Sequence, residues 1–308
     1  MIVYVTSLVR YKPYGWLYKV DYHQKKIIAR RKINSDNSLA KHGGPHGLAS
    51  IGDTLVTGTY SDILFFDGDL KERGRFASPY LLGVHGLSAV DDRIWISSCN
   101  NEMVVCFDRD GNVIERFCLR SNRPLCDFFD LKRQEENAAT GFLEYPEQPF
   151  HVNHVQEVDG RLLVCLHKQG CIWDLRAGEP VALSVGGQIH DAQYGAGGYL
   201  VNDTQGEKLC FFDESGHPLT STFVKPYPLS SMMTRIRQML GVNKGKVCRA
   251  NWLRGLAPLG YEQVLVGSSP ATILTVDFKS GKLVEQMKLS SDRCEAVFGI
   301  LPSTAALN

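Results

Sequence analysis

The triplet His46-Gly47-Leu48 returns as His85-Gly86-Leu87, 39 residues further on, and each copy opens a matching stretch: HGLASIGDTLVT from position 46 and HGLSAVDDRIWI from position 85. A period near forty residues is the length of one small antiparallel sheet with its turns, so the chain is restricted to a repeat architecture. A second marker has the same spacing. A hydrophobic residue followed by aspartate precedes a short turn six times, at Asp21, Asp67, Asp108, Asp174, Asp213 and Asp277. Aspartate before a glycine-containing turn, flanked by alternating apolar residues, signals a hairpin. The intervals are 46, 41, 66, 39 and 64 residues, so the two long ones contain a normal repeat plus an insertion.

Each unit divides into strands. The His-Gly-Leu element is followed by a β-rich run (55–59, 94–98, 162–166, 199–203 and 264–268), a third strand ends at the aspartate, and a fourth follows the turn. Four short strands per forty residues are the pattern of a β-propeller blade, whereas a β-sandwich has no fixed pattern per unit. The expected fold is therefore an all-β, six-bladed β-propeller, a single domain over 1–308. The blades are read as 296–306 joined with 1–34, then 46–79, 85–119, 150–185, 189–224 and 253–290. Insertions fall at 120–149 and 225–252. The chain starts on a strand that lacks a preceding His-Gly-Leu element, and Phe298-Gly299-Ile300-Leu301-Pro302 supplies that piece, so the two ends are expected to pair in one blade and leave no open sheet edge.

Composition narrows the partners. The formal charge is +1 with no basic block, which argues against nucleic acid, and no apolar run is long enough to span a membrane. The first residues lack the basic–apolar–small order of a signal peptide. Nine cysteines without a C-x-x-C pair suggest reduced thiols and a cytoplasmic protein.

In a propeller the first strand of each blade lines the central channel. Aligned on that strand, the blades place His46, His85, Asn153, His190, Arg254 and Phe298 at the channel mouth, with His151 on the same strand face as Asn153. Imidazoles converging on one axis suit a divalent metal, here through His46, His85 and His190. Arg254 would clamp an anionic group, and Asn153 and His151 would orient the substrate. Both insertions join the last strand of one blade to the first of the next, so they are expected over the same mouth, where long loops act as lids or binding surfaces. In the second, 230–240 reads as a short helix with Met232, Ile236 and Leu240 on one face.

The run Gly44-Pro45-His46-Gly47-Leu48 resembles the Pro-His-Gly-(Ile/Leu) repeat of streptogramin (virginiamycin B) lyases and of related NHL-type and gluconolactonase-like propellers. The run Trp252-Leu253-Arg254-Gly255-Leu256 is also similar to uncharacterised bacterial propellers. The first resemblance implies a propeller with a site at the channel mouth. The chain departs from the lyases in having six blades rather than seven and no Glu-x-His element. The function expected from the residues is a metal-dependent lyase or hydrolase in which His46, His85, His190 and Arg254 act on a small, anionic molecule. The alternative is a non-catalytic propeller that binds a protein or carbohydrate through the same face.

Overall fold

All six recurrent aspartates close the same kind of turn in the computed structural model of the protein. Asp67 Oδ1 accepts the N–H groups of Asp69 and Lys71, Asp108 Oδ1 those of Asp110 and Asn112, and Asp213 Oδ1 those of Ser215 and His217. Asp21, Asp174 and Asp277 accept N–H groups two or three residues ahead in the same way. A carboxylate that takes the turn's donors makes the hairpin the cheapest path for the backbone. Those bonds hold the carboxyls of Asp21, Asp67, Asp213 and Asp277 below the usual carboxylate range, and at Asp108 the Asn112 side-chain amide adds the largest share.

The structure describes residues 1–35, 42–134, 147–182, 188–195, 197–224, 251–260 and 262–303, with single positions 226, 236 and 248. Six antiparallel sheets make six blades. Blade 1 runs from the inner strand Glu295–Pro302 through Ile2–Arg10 and Tyr14–Asp21 to Lys26–Asn34. The inner strands of blades 2 to 6 are His46–Ile51, Val84–Val90, Val152–Val158, Ile189–Gly195 and Arg254–Leu259. Each touches the next around the ring, and Glu295–Pro302 touches both Arg254–Leu259 and His46–Ile51. The apolar core is accordingly divided into six clusters, one at each seam between blades. The outermost strands, such as Glu72–Ala77 and Pro218–Phe223, mostly alternate exposed and half-buried residues; Glu72–Ala77 turns Arg73 and Arg75 outward, which protects that edge, whereas Pro218–Phe223 exposes Leu219 and Phe223.

Blade 1 is assembled from the two ends of the chain, where Val3 pairs with Pro302 and Val9 with Glu295. Glu295 is 2% exposed and accepts hydrogen bonds from Ser7 Oγ at 2.5 Å and Tyr18 Oη at 2.7 Å, tying the closing strand to its neighbour Ile2–Arg10 and to Tyr14–Asp21 beyond it. Glu295→Ala strands those hydroxyls inside the blade. It is expected to cost about 1–3 kcal/mol, read as a lower urea midpoint with an unchanged slope.

Part of the first insertion folds as a short helix, Arg123–Phe128, capped by Asn122. Leu125 and Cys126 enter the cluster between blades 3 and 4, and Phe128 and Phe129 pack on Trp173. Residues 135–146 of that insertion lie outside the described residues, as does the 230–240 helix expected in the second, apart from position 236.

Candidate metal and anion site at the channel mouth

A β-bulge interrupts every inner strand at the aligned dipeptide. The register slips between His46 and Ala49, between Val84 and Leu87, between Val152 and His154, between Ile189 and Ala192, between Arg254 and Leu256, and at Phe298. A bulge re-aims the side chain it carries, and here six of them act on one circle. Gly47 and Gly255 take the positive φ that this needs, at +60° and +68°. Second-strand hydroxyls satisfy the freed backbone: Thr57 donates to Gly47 O, and Ser97 both accepts from Gly86 N–H and donates to Gly86 O.

The re-aimed side chains form a closed ring of aromatic contacts. His46 stacks on His85 with centroids 5.6 Å apart, and His85 meets His151 edge-on at 5.2 Å. His151 meets His167 at 5.0 Å, His167 meets His190 at 4.5 Å, and His190 meets Trp252 at 5.7 Å. The Arg254 guanidinium lies over Trp252 and Phe298, 4.0 Å from each centroid, and Phe298 returns to His46 at 4.7 Å. Five imidazoles, two other rings and one guanidinium thus close the mouth.

The residues read from the sequence are all at this mouth, though not all in the ring. Asn153 stands behind it and donates Nδ2–H to Ile189 O. Its place is taken by His151, whose φ of +49° turns it into the circle, and by His167. The metal ligands expected from the sequence were His46, His85 and His190, and the structure gathers a different set. Among the described residues, the ligand atoms lying within 4.8 Å of one another belong to His85, Cys99 and His151. The reason is topological. His190 is three steps around the ring from His85, whereas Cys99 follows the second strand of His85's own blade and brings Sγ to 3.4 Å from His85 Nδ1. Ligand atoms around one tetrahedral zinc stand about 3.3–3.7 Å apart, given the usual Zn–N and Zn–S bond lengths. Cys99 Sγ and His85 Nδ1 already stand at that spacing, and the His151 ligand atom lies within 4.8 Å of the other two, so the donor set fits an ion of this kind.

Hydrogen bonds set the imidazoles for this role. His151 Nδ1–H donates to Gln148 Oε1 at 2.7 Å, while Gln148 Nε2–H donates to Asn100 Oδ1. His167 Nδ1–H donates to Ile189 O at 2.8 Å. Both rings are left with the Nε2 lone pair, the arrangement outer partners impose on metal-binding histidines. Burial, reinforced by neighbouring positive groups, lowers His151 to about 3 and His167 to about 4 and holds His85 and His190 well below the ordinary imidazole value. These four imidazoles are neutral at physiological pH. Glu102, raised to about 7 by burial, braces the site by accepting the N–H groups of Phe150 and His151.

Behind the ring lies a chamber of about 30 Å³ lined by His85, Asn153, His154, His190, Asp191 and Arg254. A water molecule needs roughly 10–15 Å³ by this measure, so the chamber takes two or three waters or a polar group of that size. On the chamber wall, His154 Nδ1 is 3.1 Å from Asp191 Oδ1, and Asp191 Oδ2 accepts Gly255 N–H at 2.6 Å.

His167 and Trp252 of the ring, and Cys99 beside it, are absent from the residues expected from the sequence. His167 and Cys99 share a repeat position, the residue after the second strand, held elsewhere by Thr59, Thr204 and Ser269. All five are buried, and aligning that position as well as the inner strand would have shown them.

No protein-family model matches the chain, and no curated protein matches it at a significant level. Among solved structures it is similar to a protein of unknown function from Bacteroides caccae, with a TM-score of 0.62 and 12% identity over 96% of this chain and 97% of that one. The likeness spans both chains almost end to end, and at that identity it is one of fold alone; the six blades are read from this chain's own sheets.

Proposed function

We propose that the channel mouth binds a divalent metal through His85, Cys99 and His151, and that the protein is a metal-dependent hydrolase or lyase for a small anionic molecule. The approach of three ligand atoms from three chain segments, inside a ring of imidazoles that burial keeps neutral, carries this reading. Two imidazoles and one thiolate suit zinc, and three protein ligands leave a position open, as catalytic zinc sites do. Such an ion, when bound, activates water or polarises a carbonyl. Gln148 holds the His151 ring. His46 and His190 flank the ligand set, with His190 Nδ1 buried and without a hydrogen-bond partner, ready to orient a substrate group. Arg254 attracts the anionic end. The chamber admits only a few atoms, so the body of the substrate stays on the outer side of the ring.

Dialysis against zinc followed by removal of excess and elemental analysis is expected to leave stoichiometric zinc. Activity on a panel of small carboxylate esters, lactones and amides is expected to disappear on chelation and return with metal. Protein that retains no zinc, nickel, manganese or iron overturns the metal site. Retained metal with no turnover of the panel, together with binding of a protein or carbohydrate by the same face, replaces the enzyme with a binding module.

A further inference from the structure

We propose that the chamber behind the histidine ring is a carboxylate site in which the guanidinium of Arg254 and the Nδ1 edge of His190 hold the charged end of a monocarboxylate. The proposal names the substrate class for the enzyme read above and rests on that reading for the reaction, while the anion site itself stands on Arg254.

Arg254 is 8% exposed and lines the chamber. Among the described residues it has no carboxylate within ion-pair distance, and its Nε is buried without a hydrogen-bond partner. Taking a cation out of water is costly unless something answers its charge. Two rings over the guanidinium, each at 4.0 Å, answer part of it. Those contacts occupy the faces of the group and leave its in-plane N–H fork for a ligand. Arg10 also lies over Trp252, at 5.8 Å, and adds charge of the same sign.

The carboxylate in the same chamber is already committed. Asp191 uses one oxygen on His154 and the other on Gly255 N–H. Burial lowers Arg254 only to about 9, so the group stays charged at neutral pH and the demand for an anion persists. His190, whose buried Nδ1 has no hydrogen-bond partner among the described residues, lines the same chamber.

Size and shape choose the anion. A chamber of about 30 Å³ suits the two oxygens of a planar carboxylate better than the four of a tetrahedral phosphate. A planar carboxylate also matches the guanidinium fork with two parallel hydrogen bonds, a geometry that a halide cannot use.

Thermal unfolding at constant ionic strength tests this with sodium formate, acetate, chloride and phosphate, on chelator-stripped and on zinc-loaded protein. Formate and acetate are expected to raise Tm saturably in both preparations, and chloride and phosphate are not. Arg254→Lys keeps the charge and loses the fork, so its formate affinity should fall by about tenfold or more while its circular dichroism spectrum is retained. If formate has no effect on the wild type, or chloride matches it, or Arg254→Lys responds like the wild type, the carboxylate site is overturned. A formate response in protein that takes up no metal would defeat the metal reading alone, and zinc uptake without a formate response would defeat the carboxylate site alone.

Discussion

The double variant Cys99→Ser, His151→Ala is expected to bind no zinc under conditions in which the wild type holds it stoichiometrically. Two of the three ligand atoms within 4.8 Å are then gone, and His85 alone cannot hold a divalent ion against competing water. Loss of an outer partner typically costs 10–100-fold in metal affinity, and loss of two ligands should cost far more. Gln148→Leu provides the graded case. It leaves all three ligands but frees the His151 ring from its 2.7 Å hydrogen bond, so the zinc affinity should fall by about 10–100-fold. Folding should survive both changes. Neither Cys99 nor His151 belongs to any of the six clusters at the blade seams, so circular dichroism and the unfolding midpoint of the metal-free protein should stay near wild type. Zinc retained by the double variant would place the metal elsewhere.

The propeller was legible because its markers are local. Each aspartate turn depends on a carboxylate reaching N–H groups two to four residues away, so residue type and spacing suffice to reveal it six times over. The mouth was legible to the extent that the inner strands could be aligned: His46, His85, His190, Arg254 and Phe298 all stand in or around the ring. What stayed hidden depends on contacts between distant segments. Cys99 meets His85 across a strand pair within one blade, and His167 reaches the mouth from the end of a second strand. The exchange of Asn153 for His151 follows from a left-handed backbone at His151, which strand alternation does not anticipate. Alternation placed His151 and Asn153 on one face, and the bulge separates them.

Gly86→Ala together with Gly299→Ala is expected to lower stability sharply, which gives the second half of the His-Gly dipeptide a physical role. Neither glycine is needed for a positive φ. A Cβ on Gly86 would instead stand 2.6 Å from Asn153 O and 2.7 Å from His154 Cα, the backbone of the next inner strand. One on Gly299 would stand 2.8 Å from Gly47 C and 2.9 Å from Leu48 N, again the backbone of the neighbouring blade. Overpacking costs about 1–3 kcal/mol where side chains can give way, and backbone cannot retreat without opening a seam. The two sites lie at different seams, so their costs should add. Gly74→Ala on an outer strand, where an added Cβ meets nothing within 4 Å, is the neutral control. Gly86→Ala carries a further consequence, because it pushes on the strand that follows His151 and adjoins His85. Its zinc affinity should drop as well, whereas Gly74→Ala should leave both readouts alone. A propeller that tolerated alanine at both positions would mean that the seams relax and that the inner strands can stand further apart. The histidine ring depends on the same approach: blades separated by one more methyl group would carry His85 and His151 out of reach of a shared ion.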